Sequence, residues 1–300
     1  MKQTNYKNKK NGKVKSKKVL TFLFYKLFFW YFHTYQYNKQ MKTKNNSILI
    51  NKWQVVFLIF GLIVLLTSLS FVIADVIQYD ANDEIQNGIP TIYAAFKQAG
   101  TIFYFTYLSN FFLGVMLVIV AFIPNSIKLK RVFFVSVALI TVTFIIYWAL
   151  LSWNKKTWET VYSGTRSTIT HALNPILGFI ALFLVRKTFS LDSKVDRLAI
   201  SIVIIYFVFT FVLFFASRGK YTSDNQTGVV VYSFLNFNKP LFYPGGKLGT
   251  IIILDIVIFL LGFLIPWSLC VFWRSVYKIP YTGLLKQYCA KRKKMQKKDN

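Results

Sequence analysis

Six runs of almost uninterrupted apolar residues constrain this chain most: Trp53–Ala74, Thr101–Ile123, Val132–Leu151, Thr168–Val185, Leu198–Ala216 and Gly249–Trp273. Each is close to the roughly 20 residues that carry a helix across the hydrocarbon core of a bilayer. Only Asp255 puts a carboxylate inside one of them. In hydrocarbon a segment must satisfy its own backbone N–H and C=O groups, so such runs fold as helices. The expected fold class is an all-α membrane protein, a six-transmembrane-helix bundle. The composition, 55% hydrophobic and 19% aromatic, is too apolar for an ordinary soluble domain. The sequence carries neither a solenoid-type repeat period nor a GxxxG helix-pairing motif in its spans.

The net charge of +27 would point to nucleic acid in a soluble protein, but its distribution follows membrane topology instead. The N-terminal segment, the 124–131 and 186–197 loops and the C-terminal tail hold 29 of the 37 Lys and Arg residues, and the three alternate loops hold 8. Asp75, Asp80, Asp83, Glu84, Glu159 and Asp224 fall on the poorly basic side. The positive-inside rule then puts both termini in the cytoplasm, an N-in/C-in protein of the cell membrane. Residues 1–50 read as a basic, aromatic N-terminal extension, 51–277 as the six-helix transmembrane domain and 278–300 as a basic cytoplasmic tail. Residues 1–18 are expected to be disordered. Within the extension, 19–37 is aromatic but interrupted by Lys26 and His33. It suits an interfacial helix lying on the membrane better than a seventh span. No small-residue cleavage site follows it, which argues against a signal peptide. Met41 opens MKTKNN, an alternative start, and the Lys, Asn, Phe, Ile and Tyr bias suggests an AT-rich bacterial genome. The tail string KRKKMQKK at 291–298 suits anionic lipid head groups, and no nucleic-acid partner is expected.

Two cysteines, Cys270 and Cys289, exclude a disulfide framework, and no CxxC, Cys/His cluster, HExxH or phosphate-binding glycine loop exists. The expectation is no metal and no cofactor. The chemistry must then reside in the few polar groups inside the spans. His171 is the one histidine of the six spans, and an ionisable group in a span is a candidate functional residue. Pro175 follows four residues later. It has no N–H to give the His171 carbonyl, so either the helix is loosened there or Pro175 sits harmlessly in a first helical turn. With the topology above, Thr106 lies roughly 8 Å, His171 roughly 5 Å and Asp255 roughly 9 Å below the outer ends of their helices. Asn110 and Asn174 each lie one turn deeper than Thr106 and His171, and Asp75 closes the outer end of the first span. One reading is an interhelical hydrogen-bond cluster that only holds helices together. The other is a site in which His171 activates the Thr106 hydroxyl, Asp255 orients the imidazole and Asn110 or Asn174 donates to an oxyanion. The outer loop from Arg218, Lys220 and Tyr221 to the turn at Tyr243–Gly246 is long enough to cover such a site.

Three strings, FTYLSN at 105–110, HALNP at 171–175 and FYP at 242–244, resemble the androgen-induced/FAR-type superfamily of six-helix membrane proteins. The likeness runs by helix order over roughly residues 50–280. Animal members of that group are threonine hydrolases that cleave fatty-acid esters of hydroxy fatty acids, with Thr in helix two and His in helix four. The resemblance implies that Thr106 is a nucleophile, His171 its base and Tyr243 a binding or orienting residue. The chain departs from the pattern where Gly245 and Gly246 follow Pro244, and in its lysine-rich extension. The expected function is a Thr/His hydrolase of a lipid or fatty-acyl ester, working near the outer face on membrane lipids. The alternative is a non-catalytic scaffold subunit or transporter whose polar cluster is structural.

Overall fold

A computed structural model describes residues 52–222 and 226–282. The N-terminal extension with its aromatic segment, His33 and Met41, the basic string of the tail, and Cys289 lie outside the described residues. Six helices dominate: α1 (Lys52–Ile77), α2 (Phe105–Phe122), α3 (Ile127–Ile146), α4 (Val161–Val185), α5 (Ser193–Ala216) and α6 (Leu248–Val276). A short helix, Ile92–Phe96, leads towards α2. All six are long and apolar enough to cross a membrane, which makes this a multi-pass membrane protein. Most helices run a few residues past the apolar stretches, because backbone hydrogen bonding continues where the hydrocarbon ends. The start of α2 is the exception: residues 97–103 form a 3-10 turn and Tyr104 is extended.

The centre of the bundle is α3, which touches α2, α4, α5 and α6. Every residue from Phe133 to Ile140 is buried, and Ser136 is the one polar side chain among them, as suits a helix enclosed on all sides. By contrast α6 shows Ile252, Ile253, Ile256, Leu260 and Leu264 on its outer surface, the expected lipid face. The closest helix contact is α1 against α2. A Cβ on Gly61 would lie 3.1 Å from the Gly114 carbonyl oxygen and 2.7 Å from Val118, and one on Gly114 would lie 2.7 Å from Leu65. Two single glycines on different helices thus allow the close approach that small residues give in membranes.

The two ends of the bundle differ. At one end the connections are short. There β3 (Leu191–Asp192) pairs in parallel with β4 (Tyr281–Thr282), and the Leu191 N–H donates to the Pro280 carbonyl at 2.8 Å. Arg131 reaches Asp192 at 2.6 Å, and Asp196 takes Arg274 at 3.2 Å and the Tyr281 hydroxyl at 2.6 Å. Ordered packing therefore continues to Thr282, beyond the sequence-based boundary at 277, because Ile279 is buried and Tyr281 is anchored on Asp196.

At the other end, longer loops roof the bundle. Strands β1 (Ile85–Gln86) and β2 (Ile89–Pro90) form a hairpin whose turn, Asn87-Gly88, has φ of 52° and 76°, the left-handed pair that a tight hairpin requires. The hairpin is joined to the 217–247 loop, where the Val230 N–H donates to the Pro90 carbonyl at 2.8 Å. That loop lies against α5 so closely that a Cβ on Gly228 would sit 1.8 Å from the Phe214 carbonyl oxygen. On the hairpin's flank Glu84 accepts from Lys97 at 2.5 Å and from Tyr79. The Glu84 carboxylate pushes the Tyr79 phenol up to about 12, and Lys97 and then Tyr79 hold the Glu84 carboxyl below its usual range.

Candidate active site

Two π-helical segments mark the loop end. One, Tyr147–Leu151, continues α3, and the other, Ile169–Leu173, interrupts α4. Such turns widen the helix by one residue and occur frequently at functional positions. The cause in α4 is readable. Pro175 stands in the first turn of the α-helical stretch Asn174–Val185 and offers no N–H to the His171 carbonyl. The indole of Trp148 donates to that carbonyl instead, at 3.0 Å. Both sequence readings of Pro175 thus hold: it begins a regular helix, and the helix before it is loosened.

The same geometry fixes the histidine. Its Nδ1 lies 3.0 Å from the Ser167 carbonyl oxygen and 3.0 Å from Thr170 Oγ1, and that hydroxyl itself donates to the Arg166 carbonyl at 2.8 Å. A carbonyl oxygen only accepts, so Nδ1 carries the proton and Nε2 presents a lone pair. Nε2 is 3.3 Å from Thr106 Oγ1. The imidazole is stacked on Tyr147, whose ring lies 3.7 Å away, centre to centre, and 11° from parallel.

Thr106 sits in the first turn of α2, where backbone N–H groups lack helical partners. Tyrosines supply them. Tyr206 Oη accepts from the Phe105 N–H at 3.1 Å, and Tyr232 Oη accepts from the Thr106 N–H at 3.3 Å. Tyr232 Oη is also 3.5 Å from Thr106 Oγ1. Burial raises the Tyr232 phenol above its ordinary range, against hydrogen bonds to Thr106 and Tyr206 that lower it.

The remaining sequence candidates divide. Asn110 and Asn174 come together, with Asn174 Nδ2 donating to Asn110 Oδ1 at 2.8 Å. Asn110 Nδ2 donates to the backbone carbonyls of Thr106 at 2.7 Å and Thr170 at 3.2 Å. Asn174 Nδ2 also reaches Thr67 Oγ1 at 3.3 Å. Both side chains are fully buried. The two N–H bonds of each amide are occupied, so neither donates to an oxyanion; together they orient the turns that carry Thr106 and His171. Asp255 is not at the site. Its Oδ1 has no hydrogen-bond partner, and the position at His171 Nδ1 expected for it is taken by the Ser167 carbonyl and Thr170 Oγ1. A backbone acceptor four residues away on the same helix reaches Nδ1, whereas a side chain on α6 does not. Tyr243 lines neither cavity described below; its neighbours Leu241 and Phe242 do.

Two recesses flank the pair. An apolar one of about 140 Å³ lies between α3, α5, α6 and the 217–247 loop, with Val203, Phe207, Ile258, Leu261 and Ile265 on its walls. A polar one of about 610 Å³ lies under the hairpin, with Asp75, Tyr93, Tyr107 and Arg166 on its walls. Thr106, His171, Tyr147 and Tyr232 line both. Asp75 is neutralised there, accepting from Arg166 at 2.6 Å, Tyr107 at 3.0 Å and Tyr162 at 3.3 Å. Among the described residues no group of three or more His, Cys, Asp and Glu side chains could hold a metal ion.

Sequence reasoning missed Tyr147, Trp148, Tyr232 and Arg166. The first two read as interfacial aromatics at a span end, Tyr232 lies in a loop without periodicity, and Arg166 entered only as a charge to be counted. No family model matches the chain, and no match was found among curated proteins or solved structures.

Proposed function

We propose that this protein is a membrane hydrolase of the Thr/His type, acting on a lipid or fatty-acyl ester. The observation that carries the reading is the unprotonated His171 Nε2, 3.3 Å from Thr106 Oγ1, where an apolar and a polar recess meet. A threonine hydroxyl is a weak nucleophile until a base takes its proton, and an adjacent imidazole with a fixed tautomer is such a base. In the reaction, Nε2 takes the Thr106 proton as Oγ1 bonds to the ester carbon, and the carbonyl π pair moves to oxygen. The oxyanion collapses, the C–O bond to the alcohol breaks, and the imidazolium returns its proton to the leaving alkoxide. A water then gives a proton to Nε2 and attacks the acyl-threonine, releasing the carboxylic acid and restoring Thr106. The polar recess supplies the route for that water. Sequence likeness to the androgen-induced/FAR-type superfamily at residues 105–110 and 171–175 supports the same roles for Thr106 and His171. By the positive-inside rule the reaction runs at the outer face of the bilayer, with both termini in the cytoplasm and the basic tail on anionic head groups.

The test is a hydroxyl-directed fluorophosphonate on the purified protein in detergent. Wild type is labelled, and Thr106→Ala abolishes labelling while keeping its thermal unfolding midpoint. Undiminished labelling of Thr106→Ala ends the assignment.

A further inference from the structure

Around the Thr106 hydroxyl the hydrogen-bonding groups can be accounted for one by one. Tyr232 Oη holds the Thr106 backbone and faces its Oγ1, Tyr206 donates to the Phe103 carbonyl at 3.0 Å, and both asparagine amides are occupied. One donor is left. The Tyr147 hydroxyl, although the residue is 4% exposed, has no partner within hydrogen-bond distance, its polar neighbour being the Ser167 side chain. A buried donor without an acceptor is unfavourable in a folded protein, and such a group calls for an explanation. This one belongs to the ring stacked on His171 and lines both recesses. It is in place to meet an acceptor atom of a ligand that crosses between them.

The charges on the polar walls restrict the rest of that ligand. The one guanidinium there, Arg166, is matched by Asp75. The other carboxylate, Asp83, accepts only an amide hydrogen bond, from Gln86 at 3.4 Å. An anionic group entering this recess finds no unmatched cation among the described lining residues. A polyol or an ammonium group finds tyrosine hydroxyls and carboxylates.

We infer that the ligand is an acyl amphiphile lying across both recesses, with its chain in the apolar one, a neutral or cationic head in the polar one, and its carbonyl oxygen accepting from Tyr147 Oη. The carbonyl as the acceptor rests on the hydrolase reading; the division between chain and head does not. In that pose the Tyr147 hydroxyl is a preorganised donor in a site of low dielectric, where hydrogen bonds to a polarised oxygen are strongest.

Binding, rather than turnover, tests this. Long-chain ketones that cannot be hydrolysed are made with a glycerol, a trimethylammonium or a carboxylate head, together with a methylene compound lacking the carbonyl oxygen. Their affinities for the full-length protein in detergent micelles are measured. The glycerol and trimethylammonium ketones should bind at least about tenfold more tightly than the carboxylate one. Tyr147→Phe keeps the ring stack and should weaken the glycerol ketone by about tenfold, the effect of one lost hydrogen bond, and leave the methylene compound within about twofold. A carboxylate head that binds as well as the others, equal losses of ketone and methylene compound in Tyr147→Phe, or no binding of any ketone overturns the inference. The hydrolase reading fails separately: a protein with the expected binding pattern but no fluorophosphonate labelling retains this ligand class and loses the chemistry.

Discussion

At the end of the bundle closed by β3 and β4, polar side chains are charged and matched: Arg131 with Asp192, Arg274 with Asp196, and Lys130 with Thr188 at 2.7 Å. At the opposite end, apart from Asp75 with Arg166 and the carboxylate of Asp83, the groups facing inwards are neutral hydroxyls, amides and one imidazole. They border open space, and the Tyr147 hydroxyl goes unmatched. The first arrangement fixes chain segments. The second keeps stabilising partners on the backbone and turns its unsatisfied groups towards a cavity. One molecule thus separates the polar chemistry that holds it together from the polar chemistry available for work.

The sharpest way to break this contrast is at His171. His171→Ala should reduce ester turnover by roughly 10²–10⁴-fold, the usual worth of a general base, with a modest change in thermal midpoint. Loss of midpoint alone, with lipid turnover intact, would favour the packing role that a scaffold subunit requires. Asp196→Asn, at the other end, should do the reverse. It leaves Arg274 and Tyr281 without their carboxylate and should lower stability by about 3 kcal/mol, while turnover per folded molecule stays at the wild-type level. Between them lies Trp148→Phe, which keeps an aromatic side chain but trims the indole to a phenyl ring and removes the N–H held by the His171 carbonyl. It should destabilise by about 1–2 kcal/mol and reduce turnover as well, measured in parallel by denaturation and by ester release. The smallest effect concerns the hairpin clasp. Because the Glu84 carboxyl is depressed in the folded protein from its ordinary value of 4.5, its contribution is complete above that value and fades as pH falls through the folded one. Amide protection factors over residues 79–97, corrected for the intrinsic pH dependence of exchange, should fall on that acid side, and Glu84→Gln should remove this loss.

The sequence was most informative where physics acts over many residues. Bilayer-length apolar runs foretold six helices, and a missing proline N–H foretold an exposed carbonyl at His171. The meeting of Thr106 with His171, and of Asn110 with Asn174, was legible because all four residues are polar in apolar surroundings and share a depth. Asp255 met the same criteria and misled, since depth says nothing about which side of a helix a residue occupies. The partner of the His171 carbonyl was not legible, because Trp148 lies 23 residues away in sequence and looks like any aromatic at a membrane interface. Nor was the Ser167 carbonyl, a backbone atom that every residue possesses. Tyr147 escaped because its function lies in a bond that it does not make within the chain.

One consequence follows from the sparse covering of α6. The outer wall of the apolar recess is a single helix, with Ile258, Leu261 and Ile265 facing in and Leu260 and Leu264 facing out. A chain-bearing ligand dissolved in the membrane is already one helix diameter, about 10 Å, from its binding place. The quantity that sets occupancy in such an arrangement is the ligand's mole fraction in the bilayer, not its concentration in water. Diluting the bilayer with inert lipid should slow the protein even when the amount of ligand per millilitre is held constant.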